Sequence, residues 1–154
     1  PERIGTSTRI LRSEILDQGR MNIMTKGQQR FEIEEIVQRV PHVVGLVRYL
    51  VDIEGDNCAE LLPQINEEYV ELVRNLTALT GGYTSRVDIP VDPIELSYSI
   101  AASLEMESHL RQSLLVTETA ATRLYDLIPL LQQGNEALRE SIRKQNPFQG
   151  PRLN

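Results

Sequence analysis

The spacing of apolar residues changes once along this chain, and the change divides it. Up to about Ile53 they recur with the period of two that marks a β-strand. Four short segments carry it: Thr8 to Leu16, Arg20 to Thr25, Gln29 to Val37 and His42 to Ile53. Asp17-Gln18-Gly19 and Lys26-Gly27 stand at two of the junctions, where glycine takes the left-handed conformation that closes tight loops. Antiparallel strands joined in this way predict a β-meander. In Thr8 to Leu16 neither face is purely polar, which predicts cover on both sides. Phe31 and Ile33 alternate with Glu32 and Glu34, a half-buried strand with an acidic outer face. His42 to Ile53 is apolar on both faces and is expected to lie centrally in the sheet or to bridge sheet and helices.

Beyond the loop Glu54-Gly55-Asp56-Asn57 the spacing becomes helical. From Ala59 to Leu79, Leu62, Ile65, Tyr69, Val70, Val73, Leu76 and Leu79 follow in steps of three, four and one. Pro63 is placed in the first turn, and Gly81-Gly82 stops the helix. Thr84 to Val91 reads as a linker. Asp92-Pro93-Ile94-Glu95 starts the next helix, with Asp92 as cap, Pro93 at the first position and Glu95 able to close a capping box. Leu96, Ile100 and Leu104 carry it on, and Leu110 and Leu114 mark a shorter helix. A last helix is predicted from about Glu118 to Arg143, capped by Thr117 and kinked or broken near Tyr125 to Pro129. Asn146 to Asn154 reads as a loose tail. The resulting fold class is α+β, with residues 1–55 as a β-subdomain, 59–143 as a helical subdomain and 144–154 as a flexible tail.

The order G-T-x-x-R-I-L-R, D-Q-G-R-M-N-I, K-G-Q-Q-R-F-E-I-E-E and P-H-V-V-G-L-V, between Gly5 and Val47, carries a resemblance. It is similar to the N-terminal substrate-binding domain of Lon proteases, most of all to stand-alone proteins with that domain and no other. With the helical half, the resemblance runs from about Gly5 to about Arg143. It implies a PUA-like β-domain followed by a helical bundle. Family members open with a strand rich in Pro, Leu and Phe, then a helix and further strands. This chain begins at Pro1-Glu2-Arg3, so its sheet is expected to be partial, with an uncovered edge and face.

Composition narrows the function classes. The chain has 154 residues, 40% of them hydrophobic and 25% charged, within the range of one globular domain. A net charge of −6 and a pI near 5.0 argue against a nucleic-acid surface, which needs a basic patch. No window approaches the roughly 18 uninterrupted apolar residues of a membrane span. Cys58 is the single cysteine, so no internal disulfide forms, in keeping with a reducing compartment such as the cytoplasm or an organelle stroma or matrix.

Motifs for chemistry are absent. There is no G-x-x-x-x-G-K-[ST] loop to cradle phosphates. The Ser-Lys pair of the Lon peptidase needs a desolvated lysine, and the two lysines, Lys26 in a turn and Lys144 beside the tail, read as solvated. His42 and His109 fall in different halves and read as surface residues rather than as metal ligands or a catalytic pair. Cys58 is placed in a loop before a helix, where the helix N-terminus would weakly activate it. Glu32, Glu34 and Glu35, and likewise Glu67, Glu68 and Glu71, read as solvated faces. Asn75-Leu76-Thr77 has the form of a glycosylation acceptor but lies on a helix. No catalytic residue, cofactor or metal ligand is expected.

Two side chains remain as binding candidates. Met24 and Tyr49 stand where a simple sheet tolerates polar groups, and methionine suits a surface that accepts varied apolar segments; packing beneath helices is the alternative for both. The resemblance implies a non-catalytic module that binds unfolded or degron-bearing protein segments for an attached or separate protease. A homodimer through the β-half is a further expectation. The other reading, a PUA-like nucleic-acid-binding protein, is opposed by the acidic balance and the scarcity of lysine.

Overall fold

The computed structural model describes residues 2–145, and the predicted tail from Asn146 onward lies outside the described residues. A three-stranded antiparallel sheet is followed by four helices, an α+β arrangement. The chain forms two compact units, one up to Val51 and one from Asp52.

In the first unit β1 (Ile4–Ile15), β2 (Met21–Gln38) and β3 (Val44–Tyr49) lie in the order β1-β2-β3. Asp17–Gly19 forms the expected turn: Gln18 and Gly19 take φ of 63° and 73°, and Leu16 N–H donates to the Arg20 carbonyl at 2.8 Å. The predicted corner at Lys26-Gly27 is corrected by the structure, which has three strands rather than four. Lys26 and Gly27 continue β2 and pair with Arg9 and Thr8. A twelve-residue β1 is long enough to ladder along both halves of β2, so the glycine becomes an irregularity rather than a turn. Between Thr6 and Thr8 the register shifts, and Ser7 Oγ both donates to the Gln29 carbonyl (3.1 Å) and accepts from its N–H (3.2 Å).

Two further expectations for the sheet fail. Residues 8–15 are exposed on both faces instead of covered. The apolar segment His42 to Ile53 is not a central strand: it yields the short β3 at the sheet edge, and of the two expected roles it keeps the bridging one, since Ile53 at its end pairs with Thr119 just before α4. Val40–Pro41 is cis in the connection before it.

In the second unit α1 (Cys58–Leu79) and α4 (Ala120–Gln145) are the long helices, with α2 (Pro93–Ser103) and α3 (Ser108–Val116) between them in sequence. Ile65, Tyr69 and Leu72 of α1 meet Leu96 and Ile100 of α2 and Leu124, Leu127 and Leu131 of α4 in one core. The buried stripe of α1 includes Leu72, which the sequence reading passed over, while the predicted Leu76 is exposed.

Local chemistry sets the helix ends. Gly81 N–H donates to Ala78 O and Gly82 N–H to Thr77 O, the paired bonds of a Schellman end. Asp92 Oδ1 accepts from Ile94 N–H at 2.8 Å, and Pro93 opens α2. Thr119, not Thr117, caps α4: its Oγ1 accepts from Thr122 N–H at 3.1 Å. Pro63 is the sixth residue of α1 rather than part of its first turn. α4 runs unbroken through Pro129, so of the expected kink or break the break does not occur. Tyr125, whose carbonyl loses its partner to the proline ring, is exposed, so water can serve it. Gly55 is required where it stands. Its φ is +83°, and an added Cβ would lie 2.8 Å from that of Thr119, beside the bonds from Ala120 and Ala121 N–H to Ile53 and Glu54 carbonyls.

Candidate functional site

The sheet is staggered, and the stagger leaves backbone open. β1 accompanies β2 from Met21 to Glu32, whereas β3 accompanies it from Phe31 to Gln38. β2 is therefore flanked on both sides only near Phe31 and Glu32. From Met21 to Gln28 one of its edges faces no strand among the described residues, and from Glu34 to Gln38 the opposite edge does not. Exposed edges of this kind accept an added strand. Apolar side chains stand among the polar ones there: Ile15 pairs with Met21 at the hairpin end, Ile23 and Met24 follow, and all four are exposed. Leu46, Val47 and Tyr49 of β3 are exposed as well.

Both candidates from the sequence lie on this surface. Met24 is 60% exposed and pairs with Arg12; Tyr49 is 55% exposed and pairs with Phe31. They are seven residues apart along β2, roughly 23 Å at ~3.3 Å per residue, so they do not share one pocket: Met24 lies on the stretch of β2 with an open edge, and Tyr49 where the two ladders overlap. The acidic strand is not a freely solvated face. Glu32 is gripped by Arg3 at 2.8 Å and by Arg48, whose Nε also lies 3.4 Å from Glu34. These pairs tie β1, β2 and β3 together where all three overlap.

The remaining sequence candidates are dispersed. His42 lies just before β3 and His109 on α3, beside Glu107 at 3.1 Å. Lys26 is inside β2, and Lys144 is on α4 within 3.7 Å of Glu140. Glu68 and Glu71 are half-buried and bonded to α4, through Asn135 and Arg139, while Glu67 is exposed as expected. Asn75 is in α1, donating to Asn135. No group of three or more His, Cys, Asp or Glu among the described residues is placed to hold a metal ion. Among them no helix is long and apolar enough to cross a membrane.

A family model of the ATP-dependent protease La (LON) substrate-binding domain matches residues 2–133. The chain belongs to that family. Curated relatives include the Lon protease of Cytophaga hutchinsonii, 26% identical over 140 residues that cover 88% of this chain and 17% of that protein. The Lon protease of Brevibacillus choshinensis is 29% identical over 140 residues, again 88% of this chain and 18% of the relative. The chain thus spans less than a fifth of the length of these curated relatives. Among solved structures, the Lon N-terminal domain protein from Xanthomonas campestris shares the fold with a TM-score of 0.56 at 19% identity, over 84% of this chain and 68% of that one.

The helical unit of this LON substrate-binding domain holds a polar centre that the sequence did not reveal. Arg123 on α4 is fully buried. Its Nε donates to Ser97 Oγ at 2.9 Å and its Nη1 to the Thr117 carbonyl at 3.0 Å, while Nη2 lies 3.5 Å from Asp52 Oδ1. The guanidinium stacks 4.2 Å from the Tyr98 ring centroid, and Tyr98 Oη donates to the same Asp52 oxygen at 2.6 Å. One side chain so joins α2, α4, the α3–α4 connection and the start of the unit. A second polar link holds α1 to α4: buried Asn135 donates to the Glu68 carbonyl and carboxylate, both at 3.0 Å. Both centres hold helices together.

Cys58 is the first residue of α1 and is buried, not in a loop. Burial, and then the Glu54 carboxylate, push its thiol pKa up, the reverse of activation by the helix end. The folded state thus holds this proton more tightly than the unfolded chain. Its stabilising contribution is whole below the ordinary thiol value of ~8.5 and is lost as pH rises through the raised value. Iodoacetamide at pH 8 is expected to label native Cys58 much more slowly than the urea-unfolded chain. Equal rates would rule out the buried, proton-holding thiol.

Proposed function

We propose that this chain is a non-catalytic protein-binding module that captures unfolded or degron-bearing segments by adding them to the open edges of its sheet. The family match carries the reading: residues 2–133 correspond to a substrate-binding domain. The staggered β2 supports it, because unpaired backbone beside exposed apolar side chains offers hydrogen bonds to any extended segment and apolar contact to its side chains. Met24, on the open stretch of β2, and Tyr49, where the two ladders overlap, are the anchors we assign. Such a module serves protein quality control or proteolysis targeting, handing segments to an attached or separate protease, in the cytoplasm or an organelle stroma or matrix. The same open sheet suits a homodimer through the β-half, since edges and apolar patches of this kind recruit further chains.

Titration with a permanently unfolded protein poor in lysine and arginine, and with RNA, each at low and high salt, tests the reading. Saturable binding of the protein that survives high salt is expected. Salt-sensitive binding of RNA without binding of the protein would replace this reading with the nucleic-acid one. The isolated chain is also expected to show neither ATP hydrolysis nor peptide cleavage, since phosphate loop and Ser-Lys pair are missing from its residues. Turnover that persists through repurification and is abolished by one substitution in this chain would contradict that.

A further inference from the structure

We propose that a groove in the helical unit is a second docking site, for an apolar peptide segment of a partner protein with lysine or arginine beside its apolar anchors. The groove has a volume of about 520 Å³ and lies between α1, α4 and the connection from α2 to α3. That volume falls within the range of sites that hold small ligands or a few side chains.

Its floor is made where Leu104 and Leu72 pack close to Gly134 of α4. A Cβ on Gly134 would come within 3.2 Å of Leu104 Cδ2 and 3.6 Å of Leu72 Cδ1. A glycine inside a helix is less stable than alanine, and here it lets the connection settle deep between the helices. Leu76, Met106, Leu110 and Leu138 form the apolar walls, none of them fully buried. Ala137, exposed on α4, leaves the groove open above them.

Charge identifies the occupant. Glu105 and Glu107 are exposed at the rim, and among the described residues no lysine or arginine lines the groove. Of the cations of α4, Arg139 pairs with Glu71 at 2.5 Å and Lys144 with Glu140 at 3.7 Å, while Arg143 of α4 and Arg111 of α3 are outside the lining. The acidity extends to the whole unit. Residues 52–145 hold sixteen Asp and Glu against seven Lys and Arg, a net of −9, whereas residues 1–51 hold six against eight, a net of +2. A segment that buries apolar side chains in this groove sets its neighbouring residues against carboxylates. Basic neighbours are attracted there and acidic ones repelled. This surface extends the protein-binding reading but does not share residues with the sheet edges.

Two leucine-rich peptides, one flanked by lysines and one by glutamates, test it by titration at low and high salt. The lysine-flanked peptide is expected to bind at least ~10-fold more tightly, with a preference that shrinks as salt screens it. Ala137→Trp, which fills the groove from its exposed side, is expected to remove at least ~10-fold of that affinity while helix content by circular dichroism is unchanged. The double substitution E105K/E107K leaves the core untouched and is expected to reverse the peptide preference.

Equal binding of both peptides, or no effect of Ala137→Trp, overturns the proposal. So does a dimer that becomes a monomer in Ala137→Trp, which assigns the groove to a second copy. If the chain binds the unfolded protein but neither peptide, the groove proposal fails and the sheet reading stands. If it binds the lysine-flanked peptide alone, the groove stands and the sheet reading fails.

Discussion

Arg123→Met is expected to lower the stability of the helical unit by about 2–4 kcal/mol. The substitution keeps the aliphatic bulk but removes the donors that serve Ser97 and the Thr117 carbonyl, and it leaves the Asp52 carboxylate without its cation. Breaking a buried ion pair from one side costs ~3–5 kcal/mol when both charges are desolvated. The value here is lower because the Asp52 side chain keeps 22% of its exposure. Tyr98→Phe removes one hydrogen bond to Asp52 and is expected to cost only ~1 kcal/mol. Urea unfolding followed by circular dichroism measures both. Equal small losses would mean that Arg123 is held by packing alone.

Leu124→Ala and Ile23→Ala are expected to differ more than their similar chemistry suggests. Leu124 is fully buried in the core of α1, α2 and α4, so truncation leaves a cavity and costs ~2–5 kcal/mol. Ile23 is 56% exposed on β2, and its loss is expected to fall within about 0.5 kcal/mol. Binding of an unfolded protein should show the opposite ranking. Ile23→Lys places a charge on the open edge and is expected to weaken capture at least ~10-fold with little loss of stability. Urea midpoints and the titration together give this comparison. A large destabilisation by Ile23→Ala would mean that the sheet surface is covered.

Signals confined to a few residues were legible in the sequence. Asp17-Gln18-Gly19, Gly81-Gly82 and Asp92-Pro93 end or begin elements through their own backbone and side-chain bonds, and each does so where the pattern placed it. Lys26-Gly27 looked like the same kind of corner as Gln18-Gly19. What distinguishes them is the length of β1, which pairs with residues on both sides of Gly27. Strand preference depends on partners of this sort, and no window around Gly27 contains them. Thr117 and Thr119 compete for one cap two residues apart, and the bond from Ala120 N–H to Ile53, far away in sequence, favours the later start.

That Met24 and Tyr49 lie on strands was legible in the sequence, and their separation was not. The apolar character of Met24 and Tyr49 marked the sheet. Their separation depends on two ladders that overlap for only a few residues of β2. Arg123 gave no signal at all, since one arginine in an amphipathic helix reads as its polar face. Its burial follows from Ser97, Tyr98 and Asp52 arriving from other parts of the chain. The groove was equally hidden, because Leu104 ends α2 in an extended conformation instead of continuing its stripe.

The open edges of β2 are tested most directly by amide hydrogen exchange of the full chain with and without a permanently unfolded protein poor in lysine and arginine. Capture by strand addition requires new backbone hydrogen bonds, so protection is expected along Met21–Gln28, Glu34–Gln38 or both, with the core of α1 and α4 unchanged. Binding that leaves every amide of β2 as fast as in the free chain would contradict strand addition and the function proposed from it.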